Sequence, residues 1–255
     1  MEKEKVIDVQ ELNASFDDHV VLKDVSFSAY QGEVTVVLGG SGSGKTTLFR
    51  HLLGLLPIHK GNVSVLGRDV ATLREVEQLE LYLQMGVFYQ SGALLSSLTV
   101  AENVALPLVQ HTSMPPPLID EIVRMKLGLV NLGHAYYQYP AELSGGMVKR
   151  VALARAIAMD PPLLFCDEPG AGLDPVSLES LDQLLLNLKE QLGISVLMVT
   201  HEVTSILRVA DRVVFLDEGV VAFEGALKEA LRSDHPAVKA FFAVLKTEHL
   251  KEIFG

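Results

Sequence analysis

Residues 39–47 read GGSGSGKTT and lie between two segments of opposite character. Before them, residues 33–38 are apolar and β-branched, the pattern of a buried strand. After them, residues 46–56 place Leu48, Leu52, Leu55 and Leu56 at helical spacing. Strand, glycine loop, helix is the context that a G-x-x-x-x-G-K-[ST] phosphate loop requires. The glycines Gly39, Gly40, Gly42 and Gly44, with Ser41 and Ser43 between them, let backbone N–H groups curl around phosphate oxygens. The helix N-terminus, at Lys45, Thr46 and Thr47, adds its partial positive charge. Lys45 is the candidate to reach the β- and γ-phosphates, and the Thr46 hydroxyl is the candidate ligand for Mg²⁺.

The rest of the 255-residue chain is long enough for one sizeable α/β domain or two coupled lobes. The net charge of -11, with no Lys/Arg-rich run, argues against a nucleic-acid partner and against direct adhesion to anionic lipid. Cys166 is the only cysteine, so no intrachain disulfide forms, which suits a reducing cytoplasm. The first residues, MEKEKVIDVQELN, are charged and are not expected to act as a secretory signal. No run approaches the ~20 apolar residues of a membrane span. Yet the chain is 49% hydrophobic with a mean hydropathy of +0.30. A large α/β core accounts for most of this; an apolar surface that docks on a partner would account for the rest.

In chain order, residues 6–16 and 20–28 read as strands joined by a turn at 17–19. Residues 60–62 read as a turn into a strand at 63–66, and 86–89 as a further strand ending at Gln90. The middle, residues 91–159, reads as a helical insert. Thr99 and Glu102 form a capping box that starts a helix, residues 113–117 form a stiff proline-rich surface loop, and 118–127 form a helix. Residues 136–140 read as an aromatic loop that ends helical structure. Strand–helix alternation then resumes, with strands at 163–166 and 195–200 and helices at 176–192 and 203–209. Residues 213–216 and 220–223 form a hairpin, followed by terminal helices at 226–232 and 236–246. This alternation implies a mostly parallel sheet with helices on its faces.

Several chemical groups fall at strand ends, where open α/β sheets bind ligands. Asp167 would hold Mg²⁺ directly or through water, and Glu168 would polarise a water attacking the γ-phosphate. The Gln90 amide would touch Mg²⁺ or that water, and His201 would donate to the γ-phosphate. Ser144, Gly145 and Gly146 open a helix at 148–159 and make a second anion-binding nest. Two phosphate-binding loops share a single loop lysine. A symmetric dimer resolves this, with each Ser144 loop covering the nucleotide of the other subunit. Phe16 ends a strand, and its spacing alone makes it a core or edge aromatic.

Taken together, GGSGSGKTT, Gln90, LSGGM (143–147), LLFCDE (163–168), Asp174 with its neighbours Gly172, Leu173 and Pro175, and His201 occur in the order and spacing of ABC transporter ATP-binding subunits. The resemblance spans about residues 6–232. It implies an α/β fold: a P-loop NTPase (RecA-like) core with an N-terminal antiparallel β subdomain and a helical insert subdomain. The chain would then be a single ABC ATPase domain, 1–255, with core and β subdomain at about 1–90 and 160–232. The insert would lie at about 91–159 and a helical tail at 233–255. By this resemblance Phe16 stacks on adenine, residues 39–47 are the Walker A loop and Gln90 is the Q-loop residue. Ser144, Gly145 and Gly146 are the signature contacts to the opposite ATP, Asp167 and Glu168 the Walker B pair, Asp174 the D-loop residue and His201 the switch histidine. The cofactors implied are ATP and Mg²⁺.

Met147 stands where the family signature usually has Gln. LSGGM, FYQSGAL (88–94) and the proline-bearing insert are similar to ATPases of bacterial Mla/MCE-type lipid transporters. That likeness implies a homodimer on the cytoplasmic face of the inner membrane, held there by an integral membrane permease. It further implies an MCE-domain substrate-binding protein and a small regulatory subunit. The alternatives are an ABC ATPase of another transporter class or a non-transport ABC ATPase. The tail, with Phe241, Phe242, Leu245 and Phe254, would pack on its own domain or reach the second subunit.

Overall fold

A computed structural model describes residues 3–16 and 19–243. In chain order the elements are β1 (Lys5–Phe16), β2 (His19–Tyr30), β3 (Val34–Gly39), α1 (Lys45–Leu52), β4 (Lys60–Val65), β5 (Arg68–Asp69), α2 (Glu75–Tyr82) and β6 (Met85–Phe88). There follow α3 (Val100–His111), α4 (Pro116–Leu129), α5 (Gly145–Ala156), β7 (Leu163–Asp167), α6 (Pro175–Leu192) and β8 (Ser195–Val199). The remainder is α7 (Val203–Val209), β9 (Arg212–Asp217), β10 (Val220–Ala226), α8 (Leu227–Ala230) and α9 (Pro236–Ala243). No helix among the described residues is long and apolar enough to cross a membrane.

The chain divides into two compact units, Met1–Arg74 with Leu197–Gly255, and Glu75–Val196. In the first unit β2, β1, β4 and β5 form an antiparallel sheet in that order. Its core-facing side is apolar, with Ile7, Val9, Leu12, Leu22, Val25 and Val63 fully or almost fully buried. In the same unit β3 runs parallel to β9, pairing Val36 with Val213 and Leu38 with Phe215. β10 returns antiparallel to β9, and β8 neighbours β3 on its other side. Every residue of β3 is buried, as its unbroken β-branched run requires. In the second unit β6 and β7 are parallel, with Phe88 opposite Cys166. Helices α3, α4 and α5 lie in the same unit. The mixture of antiparallel and parallel strands with helices is the α/β architecture expected from the sequence.

Several boundaries differ from expectation for physical reasons. Helix α1 ends at Leu52 rather than continuing to residue 56, because Gly54 turns left-handed at φ 66°. The Gly54 and Leu55 N–H groups then cap the carbonyls of His51 and Arg50, at 3.0 and 2.9 Å, as a Schellman motif. Residues 60–62 are not a turn. They belong to β4, where Asn62 pairs with Gln10 and Lys60 with Asn13. Pro116 and Pro117 are not loop residues but open α4, where a missing N–H costs nothing. Helix α2 is an element that the sequence reading left unassigned.

Helix α3 starts where the sequence placed it. Glu102 N–H donates to the Thr99 hydroxyl at 3.2 Å and Thr99 N–H donates to the Glu102 carboxylate at 2.7 Å. Asp17 and Asp18 of the expected first turn, and Leu245 and Phe254 of the tail, lie outside the described residues. The described part of the tail packs on its own unit: the Phe241 ring stands edge-on to Phe215 at 5.6 Å and to Phe242 at 5.2 Å.

Candidate functional site

In the first unit, β3 delivers the chain into the glycine loop and α1 takes it away. Gly39 sits at φ 151°, and a Cβ there would lie 2.1 Å from the Leu216 carbonyl oxygen. Only glycine lets the loop leave the strand this close to β9. Gly44, at φ 101°, caps α1. Gly40, Ser41, Gly42 and Thr46 are exposed, Thr47 is half-buried and Ser43 is buried. Lys45 curls back over its own loop, with Nζ donating to the carbonyls of Gly39 at 2.9 Å and Gly40 at 2.8 Å. An ammonium held on neutral carbonyls binds phosphate oxygens more strongly when they are offered. The loop thus combines exposed backbone, a helix N-terminus and a cation within nine residues.

Phe16, at the end of β1, is 48% exposed, which excludes the core and leaves the edge position of the two that its spacing allows. With Asn13, Ala14, Ser15, His51, Leu56, Pro57 and His59 it lines a cavity of about 250 Å³. His51 is buried on α1 with Nδ1 2.8 Å from the Thr47 carbonyl. A neutral ring there donates from Nδ1 and keeps Nε2 as an acceptor. His201 follows β8, is largely exposed, and places Nε2 3.9 Å from the Glu202 carboxylate.

The second unit holds the carboxylates. Strand β7 ends at Asp167, and Glu168 adopts a left-handed backbone at φ 45°. A non-glycine residue held there stores strain of the kind found at functional sites. Asp167 and Gln90 come together, with Tyr89, Ser91, Ala171 and Gly172, around a cavity of about 570 Å³. One carboxylate and one amide oxygen form a hard donor set. No group of three or more His, Cys, Asp or Glu side chains suited to a metal occurs among the described residues. That combination fits Mg²⁺, which takes few protein ligands and completes its shell with phosphate and water.

Ser144 is the N-cap of α5, and its hydroxyl accepts from the Met147 N–H at 3.3 Å. Gly145 and Gly146 form the first turn of that helix, and a Cβ on Gly145 would meet no atom within 4 Å. That N-terminus stands open to an anion. Asp174 caps α6, accepting from Val176 and Ser177 N–H groups at 3.1 and 3.0 Å and from the Ser177 hydroxyl at 2.5 Å. The Ser177 hydrogen bonds hold its carboxyl below the usual carboxylate range.

Sequence reasoning passed over three side chains in this unit. Lys149 on α5 is buried and donates to the Gln90 carbonyl. Arg155 donates to the carbonyls of Gly92 and Ala93. Asn103 on α3 is fully buried and bonds Leu95, Leu98 and Thr99. The available signal was weak: a lysine and an asparagine at buried spacing on helices.

Comparison with known proteins places the chain among relatives. The family model described as ABC transporter matches residues 22–171. The intermembrane phospholipid transport system ATP-binding protein MlaF of Haemophilus influenzae is 36% identical, over 98% of this chain and 99% of its own length. MlaF of Escherichia coli K12 is 34% identical over 92% of this chain and 88% of its own. A probable ribonucleotide transport ATP-binding protein, mkl, of Mycobacterium tuberculosis H37Rv is 38% identical over 92% of this chain. The chain spans 66% of that protein's length.

Among solved structures, cbiO1 from Clostridium perfringens, part of the ABC transporter complex cbiONQ, has a TM-score of 0.84 at 30% identity, covering 98% of this chain and 100% of that one. The dimeric ATP-binding cassette MJ0796 bound to ADP and Pi has a TM-score of 0.77 at 29% identity, covering 87% and 98%. The phosphate loop, the strand-end carboxylates and these likenesses together show that the chain belongs to the ABC transporter family, as an ATP-binding cassette ATPase.

Proposed function

We propose that this chain hydrolyses MgATP to power a transporter that moves phospholipid, or a related hydrophobic molecule, across the bacterial envelope. The observation that carries the cargo is the 36% identity to the phospholipid-system protein MlaF along essentially the full length of both chains. In this reading Phe16 stacks on adenine, residues 39–47 cradle the phosphates, and Lys45 neutralises β- and γ-phosphate charge. Thr46 in the first unit, and Gln90 and Asp167 in the second, are the candidate ligands for Mg²⁺, which would supply charge stabilisation at the transferring phosphoryl group. Glu168 accepts the proton of the attacking water and His201 donates to the γ-phosphate. Ser144, Gly145 and Gly146, with Asp174 beside them in role, complete the site of a second copy, so that ATP joins a homodimer.

The work must leave this chain through a partner. A groove of about 480 Å³ in the second unit is lined by Leu79, Tyr82, Met85, Tyr89, Leu106 and Pro107, among others. Its walls come from α2, β6, α3 and the end of α5, where Arg155 lies, with Tyr89 next to Gln90 in sequence. That apolar groove suits a short cytoplasmic helix of an integral membrane permease. The permease would keep the ATPase on the cytoplasmic face of the inner membrane. An MCE-domain protein and a small regulatory subunit would complete the assembly.

The test is affinity capture of the chain from detergent-solubilised membrane, with mass spectrometry of proteins and bound lipids. A multispanning permease, an MCE-domain protein and enriched phospholipid are the expected result. Capture of a permease with nucleotides and no lipid would favour the cargo named for the mycobacterial relative and overturn the lipid reading. Capture of no membrane protein would overturn transport.

A further inference from the structure

We propose that Lys149 and Arg155, both on α5, moor the Gln90 loop to the helix that begins at Ser144, and that Lys149 is a positioning residue for Gln90. The inference rests on the role given to Gln90 in the proposed function.

The loop needs external anchorage. Strand β6 ends at Phe88, so the carbonyls that follow have no ladder partner along the strand. Its backbone is also unusual, with Gly92 at φ 74° and Ala93 at φ 47°. Helix α5 supplies the missing donors. Lys149 Nζ donates to the Gln90 carbonyl. Arg155 Nη2 donates to Gly92 and Nη1 to Ala93, both at 2.7 Å. Two cations thereby hold three carbonyls within four residues. A Cβ on Gly92 would lie 3.1 Å from Val148 Cγ1 and 3.4 Å from Ala152 Cβ, so the loop also packs closely on that helix face.

Lys149 is an expensive choice if only packing mattered. It is 7% exposed, and burial pushes its pKa down while the Glu168 carboxylate opposes that shift. Its ammonium lies 5.7 Å from the Phe88 ring centre. An apolar side chain of similar length would fill the space without removing a charge from water. The charge is instead spent on the Gln90 carbonyl, to which Nζ donates, and on the Glu168 carboxylate, whose attraction opposes the effect of burial. Because Ser144 caps the same helix, the loop that contacts one nucleotide and the glutamine that serves another are tied to one rigid element.

The experiment compares the full chain, purified with its membrane partners, as parent, Lys149→Met and Lys149→Arg. The readouts are kcat and KM for ATP, and amide hydrogen exchange by mass spectrometry. The expected result for Lys149→Met is a kcat lowered on the order of tenfold, as for a misplaced catalytic group, with KM unchanged. Exchange should rise in residues 89–95 and stay unchanged in residues 34–38. Lys149→Arg should restore most of kcat and the protection. If Lys149→Met does not fold, Lys149→Gln is read the same way. Parent-like kcat and exchange in Lys149→Met would overturn the mooring, as would a rise in exchange spread evenly along the chain. A parent that fails to hydrolyse ATP would contradict the proposed function, and the exchange comparison would then decide the mooring by itself.

Discussion

Lys45 Nζ lies 2.9 Å from the carbonyl oxygen of Gly39, six residues back in the same loop. The lysine is thereby aimed across the mouth of the loop rather than into solvent. Lys45→Ala removes the one loop cation placed for the β- and γ-phosphates. Hydrolysis should fall to background, at least 10³-fold on the order of other lost phosphate clamps. Folding should be little affected, because the hydrogen bonds to Gly39 and Gly40 are made to neutral carbonyls of the lysine's own loop. Steady-state ATPase of the purified complex checks this, and near-normal turnover would remove the phosphate-loop assignment.

Gly39→Ala should harm the fold as well as the site. The added Cβ would meet backbone, the Leu216 carbonyl at 2.1 Å, and the residue would still need φ 151°. Neither can relax by a rotamer change. A loss on the order of 3 kcal/mol in urea unfolding is expected, together with loss of nucleotide binding.

Asn103→Ala should loosen the segment that follows Gln90. The buried amide accepts from Leu95 N–H at 2.8 Å and donates to the carbonyls of Leu95, Leu98 and Thr99 at 2.9–3.1 Å. Truncation leaves the Leu95 N–H and the Leu98 carbonyl without this partner, while the Leu95 and Thr99 carbonyls keep the backbone N–H groups of Leu98 and Asn103. About 2–4 kcal/mol of stability should be lost, read as a shift in the urea midpoint at constant slope.

Glu168→Gln keeps the shape at the end of β7 and removes the base. ATP should still bind while turnover falls, so the variant should accumulate as an ATP-bound dimer. Size-exclusion chromatography with light scattering, with and without ATP, reads the outcome. A variant that hydrolyses ATP like the parent would show that Glu168 is not the base.

The legible parts of the chain were those whose determinants are close in sequence. The buried run of β3, the Thr99 and Glu102 capping box and the helix that opens at Ser144 each depend on residues within a few positions. Helix α1 was overextended because Leu55 and Leu56 keep the helical period past Gly54, where the backbone has already turned left-handed. Pro116 and Pro117 look like loop in sequence because proline breaks helices in their interior, whereas here it starts one. Phe16 shows the limit of spacing alone, which allows a core or an edge aromatic; its 48% exposure decides against the core. Lys149 and Arg155 lay beyond a one-dimensional reading because their acceptors, Gln90, Gly92 and Ala93, are about 60 residues away in the chain and are backbone carbonyls that carry no sequence signal.

In the proposed function each copy of this chain carries two halves of different sites, one around Lys45 and one around Ser144. Mixing Lys45→Ala subunits with Ser144→Ala subunits, each inactive alone, tests it directly. A heterodimer then pairs one intact phosphate loop with one intact Ser144 loop. ATP hydrolysis should recover in the mixture, with the activity confined to heterodimers isolated by two different affinity tags. Isolated heterodimers with no activity above that of either parent variant would contradict a site shared between two copies.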